Sequence, residues 1–163
     1  MKRTLIPVLT IVGLLLGLFT AVMLRLSSWR INQDINGWKD RAEVSSEPHD
    51  MLLYMTNTRD GMVKWGMTEG NAALFFPTPE TDMSLIYRNV NQYVDQSKVL
   101  LEMDRTSPQY AMNLEQLSWS INRLDLHAFQ YWANHDGLDT AILCWVGWLA
   151  FVVFGIWWMF LDL

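Results

Sequence analysis

Two uncharged apolar runs, Leu5 to Leu24 and Ala141 to Leu161, lie near the two ends of this 163-residue chain and bracket a polar, acidic middle. An α-helix needs roughly 20 apolar residues to cross a bilayer's hydrocarbon core, and both runs reach that length. In lipid every backbone N–H and C=O must be paired within the segment. Neither run alternates like a barrel strand, so each is expected to be a transmembrane helix. The reading is therefore an all-α membrane protein: a tail (1–4), a first span (5–25), an extramembrane antiparallel four-helix bundle (26–139), a second span (140–161) and a short end (162–163). The first run follows Lys2 and Arg3 as a secretory signal would, but a signal core is shorter, and the segment is read as a retained anchor.

Orientation follows Lys/Arg asymmetry in short flanks. Residues 25–139 hold 10 Lys/Arg and 16 Asp/Glu, a net charge of −6, against a tail carrying Lys2 and Arg3. Both termini are accordingly expected in the cytoplasm, with the centre periplasmic or extracellular and the chain in the inner (plasma) membrane. The single cysteine, Cys144, falls inside the second run, so no disulfide is expected.

Prolines punctuate the middle at Ser46-Glu47-Pro48, Thr78-Pro79-Glu80 and Ser107-Pro108. Each places a capping oxygen beside a proline, whose missing N–H has no partner at a helix start anyway. Between these marks apolar residues recur at spacings of three and four. The pattern is most regular at Tyr110, Leu114, Leu117, Ile121, Leu124, Ala128 and Tyr131. Helices are expected at about 26–45, 49–75, 81–104 and 108–135, joined by short connections; their even number returns the chain to the membrane. Gly61, Gly66 and Gly70 weaken the second of these. Gly66 and Gly70, one helical turn apart, mark either a broken helix or a place where a partner packs, and Phe75-Phe76-Pro77 either caps the far end of the bundle or forms a docking tip.

In the first run Gly13, Gly17 and Ala21 form a small-residue face suited to close helix contact, with the second span or with another subunit. Trp29, Trp145, Trp148, Trp157 and Trp158 are interface anchors by position, and tryptophan favours headgroup depth. Trp145 and Trp148 fall a turn or two inside the run and could equally face a neighbouring subunit or a bound pigment or quinone. Neither run has an ionisable residue in its core, the usual mark of an ion or proton path.

Three histidines are the only candidates for metal chemistry. His127 and His135 lie about 12 Å apart if helical, too far to chelate one ion. His49 with Met51 and Met55 offers an imidazole and thioethers of the kind copper accepts, although methionine also fills cores. No catalytic motif stands out, no cofactor is expected, and the acidic middle lacks the basic stripe that nucleic acid requires.

The layout of span, external four-helix bundle and span resembles, in architecture, the sensor module of bacterial chemoreceptors and related two-component sensors. Those receptors signal through a long cytoplasmic coiled coil, whereas only Asp162 and Leu163 follow the second run. The expected role is a non-catalytic accessory subunit stabilising a larger integral-membrane complex, such as an energy-transducing or membrane-oxidase assembly. Its partners would be other membrane subunits and the bilayer, with self-association left open. A ligand-sensing bundle signalling through a separate partner is the alternative, and a metal-binding or metal-delivering subunit a weaker one.

Overall fold

The computed structural model describes residues 2–161, with side chains described for 5–160. It is all-helical. In order come α1 (Lys2–Ile31), a π-helical turn (Asn32–Asn36), α2 (Gly37–Val44), α3 (Pro48–Lys64), a 3-10 turn (Pro79–Thr81), α4 (Met83–Glu102), α5 (Pro108–Asn122), α6 (Ala128–His135) and α7 (Leu138–Leu161). The chain divides into two compact units, Met1–Ser28 with His135–Leu163, and Trp29–Asn134.

The first unit is a pair of helices, each long and apolar enough to cross a membrane. Their contact is built on glycine. A Cβ added at Gly147 would lie 2.6 Å from the backbone nitrogen of Gly17 and 3.1 Å from the Gly13 oxygen. A Cβ on Gly13 would in turn lie 2.8 Å from the Phe151 nitrogen. These helices meet backbone against backbone, which larger residues forbid. Thr10 and Thr20 line the same buried face of α1, and their hydroxyls donate back to the carbonyls of Ile6 and Leu16 at 3.0 and 2.8 Å, leaving no unpaired polar group there. The remaining surface is apolar and open: only 28% of the most apolar window of the first helix and 6% of that of the second is buried.

The second unit buries side chains. Ile31, Ile35, Met51, Met55, Met62, Met67, Met83, Val90 and Ile121 are fully excluded from solvent, and Val94, Leu100 and Leu117 nearly so. Helix α2 touches α3 and α5, α3 touches α4, and α4 touches α5, so these four close a ring around that core. Two of the three proline marks open helices, and the third, Thr78-Pro79, opens the 3-10 turn ahead of α4, which starts on a cap of its own. Pro48 and Pro108 open α3 and α5, the Ser107 hydroxyl accepts from the Tyr110 N–H, and Asp82 accepts from the N–H groups of Ser84 and Leu85 at the start of α4.

Three expectations are corrected. The helix expected over 26–45 contains a π turn, although it does run on from the first apolar run. The helix expected over 49–75 stops at Lys64. Gly66 there takes φ +67°, and N–H groups of Gly66 and Met67 donate to the carbonyls of Val63 and Met62 at 3.1 and 2.8 Å. This is the Schellman closure, which glycine adopts without a Cβ penalty and which here ends in two buried methionines. Gly70, at φ +87°, is likewise a turn residue, so Gly66 and Gly70 do not share a helix face.

The helix expected over 108–135 is broken at 123–127. The Asp125 carboxylate accepts from the His127 N–H at 3.0 Å, a local bond that competes with the helical ladder. His127 takes φ +45°, and Leu126 turns inward to 3% exposure. Apolar spacing was uninterrupted across this break because Ile121, Ala128 and Tyr131 are all buried on either side of it.

Phe75-Phe76-Pro77 does not cap the far end, one of the two placements expected for it. Lys64 and the Trp65 indole both donate to Asp34 Oδ2, at 2.7 and 2.9 Å, and the Asn134 amide donates to the Ala72 carbonyl at 2.6 Å. The 65–82 connection thus sits at the end of this unit where the chain enters and leaves, not at the far end. The far end is where Glu47 pairs with Arg105 at 3.4 Å.

Candidate functional site

The second unit carries an open polar cleft of about 530 Å³ between the π turn, α2 and the corner joining α5 to α6. Asn32, Asn36, Lys39 and Asp40 form one wall, and Arg123, Asp125, His127 and Gln130 the other. Two departures from ideal backbone meet here: the π turn and the positive φ of His127. Both are of a kind that recurs at functional sites, and a non-glycine residue held at positive φ stores on the order of 1–3 kcal/mol.

Most of the charge in the cleft is already matched. Lys39 donates to Glu43 Oε2 at 3.0 Å and to the Asn122 carbonyl at 3.5 Å, and the Asn122 amide bonds to the other Glu43 oxygen. The Arg123 guanidinium lies 3.8 Å over the Trp119 ring. His127 Nδ1 is 2.9 Å from Gln130 Oε1 and 3.7 Å from Asp125 Oδ1. Asp40, Asn32 and Gln130 are exposed at the rim, so the cleft offers mixed, neutralised polarity to any guest.

The histidines do not converge. The His49 side chain is 76% exposed on the first turn of α3, 3.6 Å from Asp50, whereas Met51 and Met55 are fully buried, so the imidazole and thioethers do not share a site. His127 stands in the α5–α6 corner and His135 at the end of α6, exposed. The shared helix assumed for these two is absent. Among the described residues no group of three His, Cys, Asp or Glu is placed to hold a metal ion.

Gly13 and Gly17 face α7, with Gly147 completing a three-glycine crossing that sequence reading did not pick out. Its signal was the isolated glycine in the otherwise bulky stretch Trp145 to Trp148. Cys144 adds an S–H toward the Gly17 carbonyl at 3.9 Å. Ala21 is half-buried. Trp148 packs toward α1, its ring 3.4 Å from where a Gly17 Cβ would stand, and meets Phe151 edge-on. Trp29, Trp145, Trp157 and Trp158 are 55%, 73%, 53% and 45% exposed, positions open to lipid or to another protein. Phe75 and Phe76 are 79% and 84% exposed.

Asp34 was not singled out either. Its carboxyl is held below the usual value by the hydrogen bond from Lys64, against the opposing effect of partial burial and with help from the Trp65 indole. Gly61 allows this junction: a Cβ there would overlap the Asp34 carbonyl oxygen and lie 3.0 Å from Ile35 Cγ1.

Compared with family models, curated proteins and solved structures, the chain matches none.

Proposed function

We propose that the chain is a membrane-anchored, non-catalytic accessory subunit, its two apolar helices inserted in the inner (plasma) membrane and its central unit an antiparallel four-helix bundle outside the cytoplasm. The observation that carries this reading is the outward face of the helix pair. Ile142, Leu143, Trp145, Leu149, Val152, Val153 and Ile156 of α7 are each 46–73% exposed, a concentration of large apolar side chains on one helix that a soluble monomer rarely leaves to water. Such a surface is stable against lipid tails or against the spans of other subunits. The cyclic contacts of α2 to α5 support the bundle, and the matched charges of the cleft support a structural rather than a catalytic use of its polar groups.

Gentle extraction followed by native mass spectrometry tests the role. Other membrane subunits at fixed stoichiometry are expected, along with poorer assembly of those partners when this chain is deleted; an isolated, stable homodimer would overturn it. A reporter fused after Leu163 tests the topology, and activity only outside the cytoplasm would invert it.

The polar cleft favours a second reading, a ligand-sensing bundle, because a π turn and a strained histidine corner could rearrange when a guest binds. A small polar ligand should then raise the melting temperature of the chain, and Asn36→Leu should abolish the shift.

A further inference from the structure

We infer that Leu74, Phe75 and Phe76 form a tip that inserts into the headgroup region of a lipid bilayer. The inference rests on the membrane reading above and adds a third point of attachment, made by the central unit itself.

The three side chains are 51%, 79% and 84% exposed and consecutive, and Pro77 follows them. Their base is fixed. The Ala72 N–H donates to the Thr81 carbonyl at 2.8 Å and the Met83 N–H to the Gly70 carbonyl at 3.0 Å, so the segment between is a loop with pinned ends. The tip therefore presents its apolar residues to the outside with little freedom to fold them inward, and a preset loop loses less entropy when it binds.

Its placement names the occupant. Ala72 is bonded to Asn134, the last residue of the central unit, and Asn134 stands four residues before the start of α7 in the chain. Lys64 and Trp65, at the other base of the loop, are bonded to Asp34, five residues after Trp29, the first residue of the unit. Phe75 is three residues from Ala72, a reach of about 10 Å. The tip thus belongs to the end of the unit at which the chain passes into both apolar helices. Aromatic side chains at that level settle in the interface.

Charge decides the mode of binding. From Gly66 to Thr81 the only ionisable residues are Glu69 and Glu80, with no lysine or arginine. Attachment by apolar insertion alone should then be indifferent to anionic lipid, unlike attachment by a basic patch.

The test uses the full chain in phosphatidylcholine vesicles, with Cys144→Ser or, if that variant folds poorly, Cys144→Ala, and one environment-sensitive fluorophore on Phe75→Cys, Val44→Cys or Leu149→Cys. Phe75 and Val44 are 79% and 82% exposed and Leu149 59%, so labelling disturbs no core packing. Expected at position 75 are emission shifted to the blue and quenching strongest by lipids spin-labelled near the headgroup. At 149 quenching should be strongest by deep spin labels, and at 44 there should be none. Phosphatidylglycerol should leave position 75 unchanged. If 149 is not quenched, the membrane reading itself fails. If 149 is quenched while 75 behaves like 44, the tip proposal alone is overturned. Shielding of 75 from aqueous iodide without lipid quenching would place a protein on the tip and overturn the lipid assignment, as would a requirement for anionic lipid.

Discussion

The helix pair of α1 and α7 and the central unit are both helical, yet they are held together by opposite means. In the pair, backbones touch because Gly13, Gly17 and Gly147 have no side chains to separate them. In the central unit, apart from the close approach at Gly61, the helices are packed through filled side chains, and five of the fully buried ones, Met51, Met55, Met62, Met67 and Met83, are methionine. On the membrane reading proposed above there is no hydrophobic gain between the two helices, so close packing must supply the attraction, whereas burial from water supplies it in the central unit. The two regions should therefore fail under different substitutions.

The largest effect is expected in the methionine core. Met55→Ala removes a fully buried side chain between α3 and its neighbours and should lower the unfolding free energy of the central unit by about 2–5 kcal/mol, read by urea denaturation. Met55→Leu should cost less than about 1.5 kcal/mol, because methionine packing adapts to a volume-conserving change. Equal losses for the two replacements would mean that the thioethers do more than fill space.

Adding a single methyl tests the comparison from the other side. Gly147→Ala places a Cβ 2.6 Å from a backbone atom of α1 that cannot swing away, and should weaken the helix pair by about 1–3 kcal/mol in a detergent titration of the full chain. The core of the central unit should be untouched. Gly61→Ala should show a loss of similar size there, because a Cβ at Gly61 would overlap the Asp34 carbonyl oxygen. A neutral Gly61→Ala would show that α3 can slide past the π turn and that the close approach is not required.

What the sequence revealed about each region follows the same division. The two apolar runs and the proline-marked starts of α3 and α5 were legible because length, capping and proline act within a few residues. The break at 123–127 was not, since the buried positions Ile121, Ala128 and Tyr131 keep helical spacing across it while a local bond from Asp125 decides the backbone. A break at Gly66 was legible as one of two readings, and the structure bears it out; the exact stop at Lys64 was not, because it depends on Met67 returning to the core behind it. The polar cleft and the glycine crossing arise from residues far apart in the chain: Asn36 with His127, and Gly17 with Gly147. No local pattern announces such pairs.

The smallest effect sharpens the comparison at the junction where the π turn meets α3. Asp34 binds Lys64 and the Trp65 indole, and its pKa is lowered chiefly by the Lys64 bond. A carboxyl with a depressed folded-state pKa adds stability above its unfolded value, near 3.8, and loses that contribution as pH falls through the lower folded value. The side chains of Lys64 and Asp34 are 65% and 31% exposed, so water screens the pair and the contribution should stay within about 1 kcal/mol. Asp34→Asn keeps an acceptor for the indole and removes the charge. Its loss of stability should be seen at pH 7 and shrink as pH falls through the lowered folded-state value, the two melting curves converging once Asp34 is protonated. Asp82 and Asp104, also lowered, contribute to the acid slope of both proteins and cancel in the difference. A gap between the two proteins that persisted at low pH would mean that Asp34 acts through the geometry of the turn and not through its charge.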